Sequence, residues 1–314
     1  FNELFGFSFF AATAQRMTTK VSTAVDTFNH QLPAPPPETE GSHLALSADG
    51  KGVPVVKSER PAPELGDPPK ARRGKGEKPG FKKEAVVTVD FSFNPEPRTP
   101  EDIVKALFNE SPEAHRQAAK AARQQRREQG LPEPRAALNK HLNATMYGKP
   151  EAMNYLMERV LKRDPTGEKP LIVLLDGDPN LENVLQRALH DYHLGDRVDA
   201  MILDIIHVSG YLWQAGTALH GETGSARTSW VREKMLAILH GDVRRVIGGL
   251  KQTLTKTQLT AAKRKSLEKA ITYFQNHRHM MDYATYLAKG YPVATGIIEG
   301  ACRSFVKERL DQSG

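Results

Sequence analysis

Hydrophobic positions along this chain fall into short runs that stop at acids, separated by long stretches of helical spacing. The sharpest run is Leu171-Ile-Val-Leu-Leu175, followed at once by Asp176, Gly177, Asp178 and Pro179. An unbroken, partly branched apolar run of this length predicts a strand buried on both faces. Proline suits the first helical turn and aspartate the cap before it, so a helix is expected from Pro179 with Asp178 as its cap. His43 to Asp49 reads as a strand ending on an acid and a glycine. Lys51 to Val56 reads as a second strand after a tight turn, and Ala85 to Phe93 as a third. Three such strands joined in sequence suggest an antiparallel meander. Val198 to Asp204 is one more strand that finishes on an acid.

Helical spacing governs most of the remainder. Helices are expected from Pro100 to Asn109, Pro112 to Gln129, Leu138 to Lys162 and Ile205 to Leu219. Trp230, Met235, Ile238, Leu239, Val243, Val246 and Leu250 recur at helical spacing through residues 227 to 250, where they form a core stripe. Residues 257 to 278 and 280 to 289 are also read as helical, and the chain turns at Gly290-Tyr-Pro292 before a final helical segment. The prolines of 33 to 37 make a stiff linker, and the proline- and glycine-rich stretch 61 to 83 makes a flexible loop. No convincing internal repeat is present.

Composition narrows the class. The 314 residues, 39% hydrophobic, suffice for one large domain with insertions or for two. A formal net charge of +7 permits a nucleic-acid partner without requiring one. The single cysteine, Cys302, excludes an internal disulfide, fits a reducing compartment and reads as a small packing residue. No apolar run approaches the roughly 20 residues of a membrane span, so a cytoplasmic location is expected. Residues 1 to 14 lack the basic start of a signal peptide and an initiating methionine, and they read as a chain opened inside a helical region.

Three acids stand where such an order of elements makes function: Asp49 after the first strand, Asp176 after the buried one and Glu299 at the start of the last helix. Clustered carboxylates are hard oxygen ligands suited to one or two Mg²⁺ ions, with Mn²⁺ able to substitute. Two such ions serve phosphoryl transfer by activating an attacking oxygen and stabilising a leaving one. No cysteine cluster or zinc-binding helix pattern competes with this reading. The order of strands and helices is that of an α/β, RNase H-like mixed sheet interrupted by two mainly helical insertions.

Ala48-Asp-Gly-Lys-Gly-Val-Pro54, Leu175-Asp-Gly-Asp178, Leu203-Asp-Ile-Ile-His-Val208 and Gly296-Ile-Ile-Glu-Gly-Ala-Cys-Arg303 resemble motifs of bacterial insertion-sequence DDE transposases of the Kra-type family. The resemblance covers about residues 42 to 314. It implies a core that cuts and rejoins double-stranded DNA at transposon ends, with Mg²⁺ held by Asp49, Asp176 and Glu299 and a homo-oligomer assembled on the DNA. Asp204 and His207 are similar to a signature shared with Mutator-like transposases, which implies a supporting catalytic role for both. In that scheme residues 1–41 are the end of an N-terminal helical region with its linker. The core occupies 42–110 and 165–212, helical insertions occupy 111–164 and 213–293, and 294–314 is a truncated catalytic helix. Arg303, Lys307, Arg309 and Lys51 are the expected DNA contacts. The basic stretch from Lys70 to Lys83 and the helix from Arg116 to Arg127 are further candidates. A catalytically inactive DNA-binding remnant is the first rival. A haloacid-dehalogenase-like phosphohydrolase is the second, suggested by the acid-x-acid pattern of Asp176 and Asp178 after a strand.

Overall fold

The computed structural model describes residues 11–55, 81–108 and 137–294, with isolated positions between 117 and 129. The chain divides into two compact units, 1–36 and 37–314. In the first, helices α1 (Ala11–Ser22) and α2 (Val25–Gln31) leave Met17, Val21, Val25 and Phe28 exposed.

The second unit is mixed α/β and is built on a five-stranded sheet of order β3-β2-β1-β4-β5. Its strands are β1 (His43–Val55), β2 (Phe81–Phe93), β3 (Leu138–Thr145), β4 (Leu171–Leu175) and β5 (Val198–Leu203). β2 runs antiparallel to both β1 and β3, whereas β4 runs parallel to β1 and to β5. Every residue of β4 is buried, as its unbroken apolar run requires of a strand with a neighbour on each side and cover on each face.

Two expectations about the strands are corrected. The sequence suggests a tight turn at Asp49-Gly50, but β1 continues through it to Val55, paired with β2 along its whole length. The glycines make no reversal: a Cβ on Gly50 or Gly52 would meet only the side chains of Glu84 and Lys82 on β2. The expected second strand is therefore the far end of the first. The third strand of the meander is Leu138–Thr145, which reads as helix from sequence. Its polar, half-buried pattern carries little strand signal, and only pairing with β2 makes it a strand. Helix α4 then covers only Lys149–Arg163.

Helix α3 (Pro100–Leu107) starts as expected, with proline in its first turn and a reciprocal cap between Thr99 and Asp102. Helix α5 (Pro179–Asp191) is capped by Asp178, whose side chain accepts from the Asn180 N–H. Helix α6 (Ile205–His220) follows β5 directly. The stripe from Trp230 to Leu250 is divided between α7 (Ser225–Leu239) and α8 (Val243–Lys256), because Gly241 takes φ +91° between them. Helices α9 (Ala261–Asn276) and α10 (Tyr283–Ala288) complete the block.

α4 packs against β2 and α5, while α6 packs against both α7 and α9. The helical block is fastened to the strand ends by tyrosine hydroxyls. Tyr283 donates to the Leu203 carbonyl at 2.7 Å and Tyr286 to that of Met201 at 3.3 Å. Beneath α4, Arg163 donates to both oxygens of Glu40 at 2.7 and 2.6 Å and to Asp90 at 2.7 Å, a charged cluster sealed from water.

Candidate functional site

β1 and β4 are level at Ser47 and Leu174, the last pair of their parallel ladder, and Asp49 and Asp176 each follow two residues further along, Asp176 just past the end of β4. Alternation along a strand puts Ser47, Asp49 and Lys51 on one face of the sheet, with Gly50 and Gly52 on the other. The parallel ladder ends at Ser47 while β1 continues with β2 alone. Asp49 therefore lies mid-strand, but just where the strand loses its β4 neighbour. Both acids are half-buried. Asp49 makes no hydrogen bond or ion pair with a described side chain. Asp176 accepts the Asp178 N–H on Oδ1 at 2.9 Å, which leaves Oδ2 uncommitted among the described residues.

The turn that follows is held from two sides. Gly177 adopts φ +89°, and a Cβ there would lie 3.0 Å from the Tyr273 ring and hydroxyl and 3.1 Å from His277 Nε2. Tyr273 donates its hydroxyl to the Asp176 carbonyl at 2.6 Å and stacks on Tyr211 with centroids 3.9 Å apart. Burial, then the nearby Asp176 charge, pushes the Tyr273 phenol well above its usual pKa, so it stays a protonated donor. His277 places Nδ1 2.8 Å from the Tyr273 carbonyl. A carbonyl only accepts, so Nδ1 bears a proton, and Nε2 faces Gly177.

On the other side, Lys149 donates to Asp178 at 2.6 Å and lies 3.6 Å from Glu84. Burial by itself would raise the Asp178 carboxyl, but the Lys149 bond and the Asn180 N–H hold it below the usual range. Asp178 is thus committed to its cap and its ion pair.

Continuing the β4–β5 register, Asp204 is level with Asp176, and its N–H donates to the Leu175 carbonyl at 2.8 Å. Its side chain is fully buried and accepts the Ile206 N–H at 2.8 Å, capping α6. His207, half-buried, lies in the first turn of α6. The Ile205 N–H donates to the Val293 carbonyl at 2.9 Å, so the chain returns to the end of β5 shortly before Glu299. Glu299, Cys302, Arg303, Lys307 and Arg309 lie outside the described residues, as do nearly all of the basic stretch 70–83 and the arginines between 116 and 127.

Among the described residues no three His, Cys, Asp or Glu side chains come close enough together to hold a metal. Asp49 and Asp176 still offer uncommitted carboxylate oxygens, the hard donors that Mg²⁺ prefers. No helix among the described residues is long and apolar enough to cross a membrane.

No protein-family model, no curated protein and no solved structure matches this chain.

Sequence reasoning did not single out Tyr273, His277 or Lys149. The first two sit in a stretch read only as helical, and their four-residue spacing, Tyr273 in the last turn of α9 and His277 as its C-cap, was the available signal. Lys149 had none, because its partners Asp178 and Glu84 are remote in sequence.

Proposed function

We propose that this chain carries the catalytic core of a DDE-type DNA transposase, which hydrolyses phosphodiesters at element ends and joins the freed 3′-hydroxyl to target DNA. The supporting observation is that Asp49 and Asp176 each lie two residues past the last pair of the parallel β1–β4 ladder, at the same end of the two central strands of a β3-β2-β1-β4-β5 sheet. That order, with β2 antiparallel and β1, β4 and β5 parallel, agrees with the RNase H-like topology implied by the motifs. Asp49 and Asp176 would hold Mg²⁺, with Glu299 as the third carboxylate. The bound ions would supply activation of the attacking oxygen and charge stabilisation of the leaving one. The chain's own part is to fix the carboxylates: Tyr273 and the Asp178 N–H hold the Asp176 backbone and one of its oxygens in place. Lys51, on the face of Asp49, offers a cation to a neighbouring phosphate.

The dehalogenase-like alternative requires Asp178 to be available as an acid or base, whereas here it is held by Lys149 and by the Asn180 N–H.

The test is nicking of supercoiled plasmid DNA by the full chain in Mg²⁺ or Mn²⁺. Nicking that falls to background in both Asp49→Asn and Asp176→Ala is the expected result. Plasmid binding without nicking in either ion would replace the reading with an inactive remnant, and turnover of p-nitrophenyl phosphate without nicking would replace it with a phosphohydrolase.

A further inference from the structure

A cleft of about 570 Å³ opens between α6 and α9. Tyr211, Tyr273 and Asn276 form part of its wall, and of the lining residues Tyr273 and His277 approach Gly177. Lys265 and Lys269, one helical turn apart on α9, line it further out. Both lysines are exposed, and neither is ion-paired with a described residue. The one acid in the lining, Glu268, lies 3.9 Å from Arg264 of the same helix, which offsets its charge. The cleft is therefore electropositive along one wall and aromatic and amide-bearing along the rest, and one of its wall residues, Tyr273, holds the Asp176 carbonyl.

We propose that this cleft binds a single strand of nucleic acid, its phosphates passing along Lys265 and Lys269 and its path ending at Tyr273 and His277, the residues that hold the turn after Asp176. Two cations a turn apart suit successive phosphates of a flexible strand, and Asn276 offers donors and an acceptor to sugar or base. The volume is that of a small-ligand pocket, which accommodates a nucleotide or two of one strand and not a duplex. The choice of nucleic acid over another polyanion rests on the transposase reading; the electropositive cleft does not.

The experiment is fluorescence anisotropy of a labelled oligothymidylate with the full chain in chelator, so that binding is measured without catalysis. Lys265→Ala/Lys269→Ala is expected to weaken binding severalfold and to lower the slope of log affinity against log salt by about 1.4, near 0.7 for each phosphate no longer neutralised. Lys263→Ala, on the same helix but outside the cleft, is expected to match wild type. Wild-type affinity and salt slope in the double variant would overturn the proposal, as would polyglutamate competing as well as the oligonucleotide. The two readings fail separately. Lysine-dependent binding without plasmid nicking leaves the cleft standing and removes the catalytic reading, and nicking with lysine-independent binding does the reverse.

Discussion

The Tyr273 hydroxyl donates to the backbone carbonyl of Asp176 at 2.6 Å, joining a helix near the end of the helical block to the tip of the buried strand β4. The two residues are far apart in sequence, and this bond sets the height at which the Asp176 carboxylate leaves the sheet. Tyr273→Phe leaves that carbonyl without its donor. Urea denaturation is expected to show a loss of about 1 to 2 kcal/mol. If Asp176 is catalytic, metal-dependent nicking falls as well, and unchanged stability would show that the bond contributes nothing.

Gly177 is required twice, by its φ of +89° and by the approach of Tyr273 and His277 to its α-carbon. Gly177→Ala is expected to cost about 1 to 3 kcal/mol, read from the same denaturation curves. A variant as stable as wild type would mean that the turn relaxes into another conformation.

Arg163 holds Glu40 and Asp90 out of water under α4. Removing the guanidinium leaves Glu40 buried without its cation and Asp90 with only Arg159, at 3.9 Å, so Arg163→Ala is expected to cost on the order of 3 to 5 kcal/mol. Substituting Arg163 by Met while converting Glu40 alone to Gln should recover much of that loss, because Asp90 then remains opposite Arg159 and no buried charge lacks a counter-charge.

Acid is expected to loosen the same region. Burial tends to raise the Glu40 carboxyl, but hydrogen bonds from Arg163, Ser92 and Asn139 and the Arg163 charge bring it below its ordinary value of 4.5. A carboxyl depressed in the folded state adds stability that is complete above the unfolded pKa and is lost as pH falls through the folded one. Asp178, lowered from 3.8, acts in the same direction. Stability measured from pH 7 downward should hold until about pH 4.5 and then decline, with Glu40→Gln flattening the decline.

Ser47 is buried on the face of Asp49, and its hydroxyl has no partner among the described residues. Ser47→Ala removes that desolvated group at almost constant shape. A gain on the order of 1 kcal/mol is expected, and a loss would reveal a bond made by the hydroxyl.

The local chemistry of single segments was legible without coordinates. An unbroken apolar run makes β4 a buried strand, Asp178 and Pro179 start α5, and Thr99, Pro100 and Asp102 start α3, because each signal lies within a few residues of the element it dictates. Asp176 at a strand end follows from the same run. The fate of Gly50 and the strand at Leu138–Thr145 did not follow, since both depend on β2, a pairing partner remote along the chain. Only the folded sheet decided that Asp49 and Asp176 follow the same end of the β1–β4 ladder, and only the docking of α9 brought Tyr273 and His277 to that turn. Propensity and capping act over one or two turns of chain, whereas register and the packing of remote helices are set by burial of the whole core.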